Sequence, residues 1–491
     1  MPIDAFEPHP IVRLLGKPSA DFTASDLVRA IEQLELRQVN LRYVGGDGRL
    51  KTLAFPINSR EHLIEVLTRG ERVDGSSVFS TDTDTSDVYV VPRHRTAFIN
   101  PFGERSSLDV LCSFYDEVGK PLSYAREQVV RRAAEVLKRE TGMTLEAFGE
   151  LEYYLVDEPE RIYPVESERG YQESGPFSKG QRVREQVLGH LCSMGVQLKY
   201  AHGEVGNILE DDRQLVQHEI ELQPVPLEQA ADNLVLTKWV VREVAHAHGL
   251  EATFAPSVSS KGAGNGLHIH SRLLRNGAST IVGKKGINDT GRRLIAGYLS
   301  AAKALTAFGN TVPTSYLRFT DGDESPEGIC WGEMDRTGLV RVPLAWVGNV
   351  LSDMVAHANP GSTEPLPEPA THPQTVELRL GDGSADVHLL LAGMAVAARH
   401  GLGDPGSLEL AERLSTADHD DFEQLPTSCA ESADVLEAER EMFEADGVFP
   451  AALVDALLVG LRDADEATRA GELAHDEAAR EELIRRYWHV G

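Results

Sequence analysis

The chain has 491 residues, with 48 Lys and Arg against 77 Asp and Glu, a formal net charge of −29. That balance argues against a general nucleic-acid binder, which needs a basic face. Hydrophobic content of 41% and charged content of 25% read as a soluble globular protein, and no run of about 18 apolar residues offers a membrane span.

The length allows one large or two to three ordinary domains. Cys112, Cys192, Cys330 and Cys429 are scattered, without zinc-site spacing or a disulfide framework. With no charged-then-apolar leader in MPIDAFEPHPIVRLL, the expectation is a cytoplasmic protein with reduced, packed thiols.

In chain order, residues 1–20 read as an irregular arm. Ala24 to Gln38 has helical periodicity, with Leu27, Ile31 and Leu34 on one face and Ser25 as the cap. Val39 to Val44 and Leu50 to Phe55 alternate around GGDG, which predicts a hairpin. Residues 60–69 read as a short helix, and Val73 to Pro92 as a polar loop ending in a strand. These elements form a small α+β domain over 21–115, with a second domain over 116–491. Tyr124 to Thr141, Ala230 to His248 (stopped by Gly249), Arg292 to Ala307 and Asp386 to Gly401 are predicted helices. Residues 428–489 are helical and acidic. Pro360 to Pro373 is a loop, and no internal repeat is present.

The stretch KGAGNGLHIHSR, Lys261 to Arg272, carries a Gly-rich backbone into His268 and His270. In an extended strand that spacing puts both imidazoles on one face. It lacks the GxxxxGK[ST] pattern of a P-loop, and its glycines lead into an alternating segment where a dinucleotide fingerprint needs a helix. The plain alternative is a turn followed by a half-exposed strand.

The same period recurs three times: Glu150 and Glu152 in GELEYYLVD, Glu219 and Glu221 in QHEIELQ, Glu377 and Arg379 in VELRL. One such pair is ordinary on a solvated strand. Four strands offering ligand-type side chains at one period read as the wall of a metal cleft. Mostly oxygen donors with one or two imidazoles suit Mg²⁺ or Mn²⁺ better than Zn²⁺. Arg318, Arg336 and Arg341 follow at spacings that would clamp phosphate or carboxylate oxygens, the plain alternative being surface ion pairs.

From about Val39 to Trp488 the chain resembles the glutamine synthetase family. DGSS at Asp74, the ELE strand, HGE followed by QHEI, GNGLHIH, SYLR, DRTGLVR, VELRLGDGSADVH and the tail LEAEREMF…IRRYW occur in that family's order. The resemblance implies an α+β fold: a small N-terminal β-grasp-like domain, then a large α/β catalytic domain whose antiparallel sheet lines a funnel. It implies homo-oligomeric rings, commonly stacked in pairs, with each site borrowing a neighbour's N-terminal domain.

It also implies a chemistry. ATP phosphorylates the γ-carboxylate of L-glutamate, and ammonia or another amine displaces the phosphate, with two or more Mg²⁺ or Mn²⁺ ions per site. By motif, Glu152, Glu204 and Glu219 would hold one metal, and Glu150, His268 and Glu377 the other. His202, His270, Arg336 and Arg341 would contact ATP phosphates and the transferring group, with Arg336 counted as catalytic. Arg318, Arg379 and the backbone of Gly264 would bind glutamate. Asp74 and Glu324 would handle ammonium and its proton.

Departures from the family pattern are an acidic insert, ILEDDRQLV, between Glu204 and Glu219, Ala263 where the family has asparagine, and Arg272 where it has serine. Asp335-Arg336-Thr337, Asp386-Val387-His388 and Arg169-Gly170-Tyr171-Gln172 also replace family motifs. Asp74 and Glu324 favour glutamate–ammonia ligation, which is the expected reaction. Ala263 and the insert favour the alternative, a γ-glutamyl–amine ligase using a polyamine or other small amine; a non-catalytic homologue is the third reading.

Overall fold

The computed structural model describes residues 4–79, 86–210, 212–259, 262–284, 286–321, 325–345, 349–362, 364–367, 371–416, 422–466 and 477–491. Its alternating segments assemble into two main sheets. The first contains β1 (Gln38–Val44), β2 (Leu50–Pro56), β3 (Glu71–Asp74), β4 (Asp87–Pro92), β5 (Phe98–Ile99) and β6 (Ser107–Tyr115), in the order β2-β1-β6-β4-β3 with β5 beside β6. β1 and β2 form the expected antiparallel hairpin, Val44 opposite Leu50, around a turn in which Gly48 has φ +73°. β1 pairs in parallel with β6.

Helices α1 (Pro10–Leu15), α2 (Ala24–Gln33), α3 (Arg60–Arg69) and α4 (Gly75–Phe79) belong to the same part of the chain. The first twenty residues are not irregular throughout. The His9 ring accepts from the amides of Ile11 and Val12 and caps α1, burying both side chains in the N-terminal core. The cap of α2 is Thr23, not Ser25: its hydroxyl accepts from the Asp26 amide while Asp26 accepts back from the Thr23 amide, a capping box. α2 ends at Gln33 because Gln38 onward is drawn into the sheet.

The second sheet contains β7 (Thr144–Asp157), β8 (Leu198–Leu209), β9 (Gln214–Leu222), β10 (Val225–Pro226), β11 (Glu251–Thr253), β12 (Gly266–Arg275), β13 (Ala278–Ser279), then, after a small ladder of β14 (Val282–Gly283) and β15 (Gly286–Ile287), β16 (Gly328–Glu333), β17 (Gly338–Val342) and β18 (Val376–Asp382). Its path is β16-β17-β18-β12-β7-β9-β8, antiparallel except for β16 with β17. The family expectation of an N-terminal domain followed by a large α/β domain holds.

Helices back the second sheet: α5 (Arg126–Thr141), α6 (Gln181–Ser193), α7 (Leu227–Ala247), α8 (Asp289–Ser300), α9 (Ala302–Gly309), α10 (Pro313–Asp321) and, after the mostly exposed α11 (Asn349–Ala358), α12 (Val387–Gly403). The helix predicted over Arg292 to Ala307 is two, broken at Ala301 (φ −96°, ψ 2°). α12 is buried on almost every side and lies between α5 and α8, as an apolar-all-round helix must. The acidic tail resolves into helices Cys429–Glu444, Ala451–Glu466 and Glu477–Arg486, with 467–476 outside the described residues. No described helix is long and apolar enough to cross a membrane.

Strand period decides what faces the cleft. On β7, Ala147, Leu151 and Tyr153 enter the core, so Phe148, Glu150 and Glu152 point the other way.

Candidate active site

That other face lines a cleft of about 910 Å³. Register brings its acids together. Glu150 is paired with Glu221 and with His268, Glu152 with Glu219, Glu219 with His202, and His270 with Glu377. Each pair is a cross-strand neighbour whose side chains leave the same face. Buried carboxylates at such spacing repel unless protons, imidazoles or cations intervene.

Two groups result. His202 Nε2 lies 2.9 Å from Glu219, and its Nδ1 lies 3.6 Å from Glu204 and 2.9 Å from the Gly203 carbonyl. His268 Nδ1 lies 3.2 Å from Glu150 and 3.7 Å from Glu377. His270 Nε2 lies 2.9 Å from Glu150 and 3.9 Å from Glu377. Among the described residues, three sets have donor atoms close enough to share an ion: His202, Glu204 and Glu219; Glu150, Glu219 and His268; Glu150, His270 and Glu377.

The electrostatics of the two groups differ in sign. Burial pushes the Glu219 carboxyl well above its ordinary range, and Glu150, Glu152, Glu204 and Glu221 push it further. Burial would do the same to Glu150, but His270 and His268 outweigh it and hold that carboxyl well below. His270 is desolvated too, yet Glu150, Glu377 and Glu221 raise it. The cleft floor is thus acid-rich at Glu219 and balanced by imidazoles at Glu150.

A row of guanidinium groups continues the lining beside Glu377, from β17, β18 and the turn before β17. Arg341 donates to Glu377 at 2.9 Å, Arg379 Nε lies 3.4 Å from Glu377, and an Arg379 Nη donates to the Arg336 carbonyl. All three arginines line the cleft.

The remaining expected residues are placed as follows. Gly264 and Arg318 pack on each other beside the cleft but do not line it. A Cβ on Gly264 would sit 2.3 Å from the Pro256 carbonyl and 2.8 Å from Arg318, so only glycine fits. Arg318 donates to the carbonyls of Leu380 and Gly381 at 3.1 Å. Asp74 is exposed on the N-terminal domain, away from the cleft, accepting from Ser76 and Ser77. Glu324 lies outside the described residues.

The described residues of the acidic insert do not line the cleft. They lengthen the β8–β9 hairpin, and at the tip Arg213 stacks 5.3 Å over Trp488. Of the described residues in 204–213, only Glu204 lines the cavity.

Several residues in the cleft or directly behind its acids have no role from the sequence. Gln217 donates to Glu152 at 3.0 Å and to the Gly264 carbonyl at 3.0 Å, tying an acid to the Gly loop. The Gly266 amide also donates to Glu152, at 2.6 Å. Phe148 stacks on His270 with ring centroids 4.6 Å apart, and the Thr375 hydroxyl meets the other nitrogen of that ring at 3.0 Å. Tyr171 sits edge-on to His202 at 5.2 Å. Arg272 is held by Glu146 at 2.8 Å, and Lys199 by Glu221. Most were legible: Gln217, Glu219 and Glu221 share one strand face, as do Phe148 and Glu150.

Family models for the β-grasp domain of glutamine synthetase and for its catalytic domain match residues 35–117 and 125–469. The chain belongs to the glutamine synthetase family. A relative from Bradyrhizobium diazoefficiens, a glutamine synthetase, is 24% identical over 89% of this chain and 94% of its own. Among solved structures, the Plasmodium falciparum glutamine synthetase has a TM-score of 0.75 at 18% identity, covering 91% of this chain and 96% of that one. A structure described as a novel glutamine synthase homolog has a TM-score of 0.69 at 19% identity, covering 92% and 98%. The two solved structures share the fold over nearly the whole of this chain.

Proposed function

We propose that the protein is an ATP-dependent carboxylate–amine ligase that joins ammonia to the γ-carboxylate of L-glutamate through γ-glutamyl phosphate. The observation that carries this is the meeting, in one cleft, of the two carboxylate–imidazole groups with the arginine row. The terminal phosphate of ATP passes to the γ-carboxylate and ADP leaves. The amine then attacks the acyl carbon, phosphate departs, and the amine loses a proton.

The donor set fits divalent metal. Glu219 is raised by four neighbouring carboxylates, a cost that a hard cation offsets. The family motifs would give Glu152, Glu204 and Glu219 to one ion and Glu150, His268 and Glu377 to the other, whereas the close donor sets have His202 with Glu204 and Glu219, and Glu150 with Glu219 and His268 or with His270 and Glu377. Bound Mg²⁺ or Mn²⁺ would supply charge neutralisation for phosphoryl transfer. His202 and His270, each touching two of these carboxylates, fix their orientation from the side on which Arg336 and Arg341 would receive phosphate oxygens. Arg318 and Arg379 would receive the glutamate carboxylate beside Gly264. Asp74 from an adjacent subunit, and Glu324, would take the ammonium proton. A site shared in this way requires homo-oligomeric rings.

A γ-glutamyl–amine ligase is the second reading. The hairpin removes the insert as its support, leaving Ala263, whose amide faces Glu168 at 3.3 Å and whose carbonyl accepts from Tyr154. The deciding experiment is glutamate- and ATP-dependent phosphate release with Mg²⁺, comparing ammonium with small amines and polyamines. Turnover with ammonium supports the first reading. Turnover only with another amine selects the second, and none with any of them refutes both.

A further inference from the structure

On the helix side of the large sheet, remote from the cleft, a second cavity of about 290 Å³ opens between the β1–β2 turn and α7. Arg49 reaches in from the turn, Lys238, Trp239 and Arg242 from α7, and His489 and Gly491 from the end of the chain. None of these residues lines the cleft. In a chain of net charge −29, three basic side chains, Arg49, Lys238 and Arg242, surround this space, and among the described residues no Asp or Glu side chain lines it.

Lys238 is only 6% exposed, and its ammonium makes one hydrogen bond, to the Gly383 carbonyl at 2.8 Å. An ammonium has three protons to donate, and a buried cation without a counter-charge is costly. The two nearest acids are engaged elsewhere. Asp382 accepts from Asn310 and from the Ser384 amide, and Asp386 pairs with Arg126 at 2.8 Å. Arg242 donates to Val490 at 3.0 Å and to Gly491, and Arg49 to the His489 carbonyl. A carboxylate at Gly491 offsets at most one of the three charges. Burial, with Arg242 adding to it, pulls Lys238 down to about 7, and burial, with Arg49 adding to it, pulls Arg242 down to about 10. Burial is the first cause of both shifts, and at Lys238 the charges of Asp382 and Asp386 only partly oppose it.

We propose that this interdomain cavity binds a phosphate group, clasped by Lys238 and Arg242 from the catalytic domain and by Arg49 from the N-terminal domain. An oxyanion there would accept the unused donors and fasten the β1–β2 turn to α7. The arginine geometry suits phosphate oxygens, and the volume leaves space for a small organic remainder against the Trp239 ring. The proposal does not depend on which amine the cleft uses.

The test is inorganic phosphate binding to the full-length protein, by calorimetry and thermal melting against sodium chloride at equal ionic strength. Phosphate should raise the melting temperature of the wild type, because a ligand of the native state stabilises it by mass action. Lys238→Met and Arg242→Gln should each weaken that response about tenfold or more. Arg49→Ala, on an exposed turn, should weaken it without disturbing the fold. Arg341→Gln, which removes a cation of the cleft and touches nothing in this cavity, should leave it intact and so separates this site from phosphate in the cleft. A wild type that does not respond overturns the proposal. So does a response of full strength in Arg49→Ala and in Arg242→Gln, or one abolished by Arg341→Gln alone. Lys238→Met should also melt higher than the wild type without phosphate. A lower melting temperature would assign the lysine a structural role instead.

Discussion

Glu219 and Lys238 are two buried charges whose surroundings disfavour ionisation, and both make pH a probe. A carboxyl raised on folding keeps a proton that the unfolded chain gives up. Stability from Glu219 is therefore full below its ordinary range and falls as pH rises toward the raised value. Glu150 has the opposite sign, so the comparison that isolates Glu219 is wild type against Glu219→Gln. Without metal at neutral pH, Glu219→Gln should be more stable by roughly 1–3 kcal/mol in denaturant unfolding. Its ligase turnover with Mg²⁺ should fall by about a hundredfold or more, since an acid of the cleft is lost. Equal metal-free stability would remove the repulsion argument. For Lys238, lowered to about 7, the unfolded chain binds the extra proton between that value and the ordinary lysine range. Wild-type stability in phosphate-free buffer should climb with pH across that window, at up to about 1.4 kcal/mol per unit, and Lys238→Met should lack that component.

At the scale of elements, strand period was the most informative signal in the sequence. It placed His268 with His270 and Glu150 with Glu152 on one wall, because a buried sheet fixes register and register fixes face. What it did not reveal has physical reasons. The break at Ala301 lies in a run of good helix formers, and the division between α8 and α9 comes from packing. The insert between Glu204 and Glu219 departs from the family pattern next to a cleft acid, yet its described residues after Glu204 lengthen a hairpin and do not line the cleft. The cavity at Lys238 was invisible because Arg49, Lys238 and Gly383 are far apart in sequence. Packing also predicts a sensitive point where α8 meets α12. A Cβ on Gly297 would lie 2.2 Å from the Ala397 carbonyl, and one on Gly401 2.2 Å from the Arg293 carbonyl. Backbone cannot yield as a side-chain end does, so Gly297→Ala or Gly401→Ala should cost about 1–3 kcal/mol or more. Thermal unfolding of either variant at wild-type temperature would disprove this close helix contact.

For the whole molecule, the cleft as formed by one chain lacks an acid that the ammonia reaction was expected to need. Asp74 is exposed and remote, and its carboxylate accepts from the Ser76 amide and from the hydroxyls of Ser76 and Ser77, which lower its pKa. Two roles compete for it. As a turn-former at the start of α4 it needs only an oxygen acceptor, and asparagine would serve equally well. As a partner for ammonium in a neighbouring subunit's cleft it needs charge. Asp74→Asn separates them: the proposed function expects a large loss of ammonia turnover with the melting temperature kept, and wild-type turnover would reduce Asp74 to a local cap. Sharing between subunits has its own signature. Asp74→Asn and Glu150→Gln each disable one half of a site. When the two are co-expressed and assembled at random, about one interface in four pairs an intact Asp74 with an intact Glu150. Activity should then return to about a quarter of wild type, although neither variant is active alone. A mixture as inactive as its components would mean that each cleft is completed within its own chain, and the second acid would have to be sought closer to Glu204 and Tyr171.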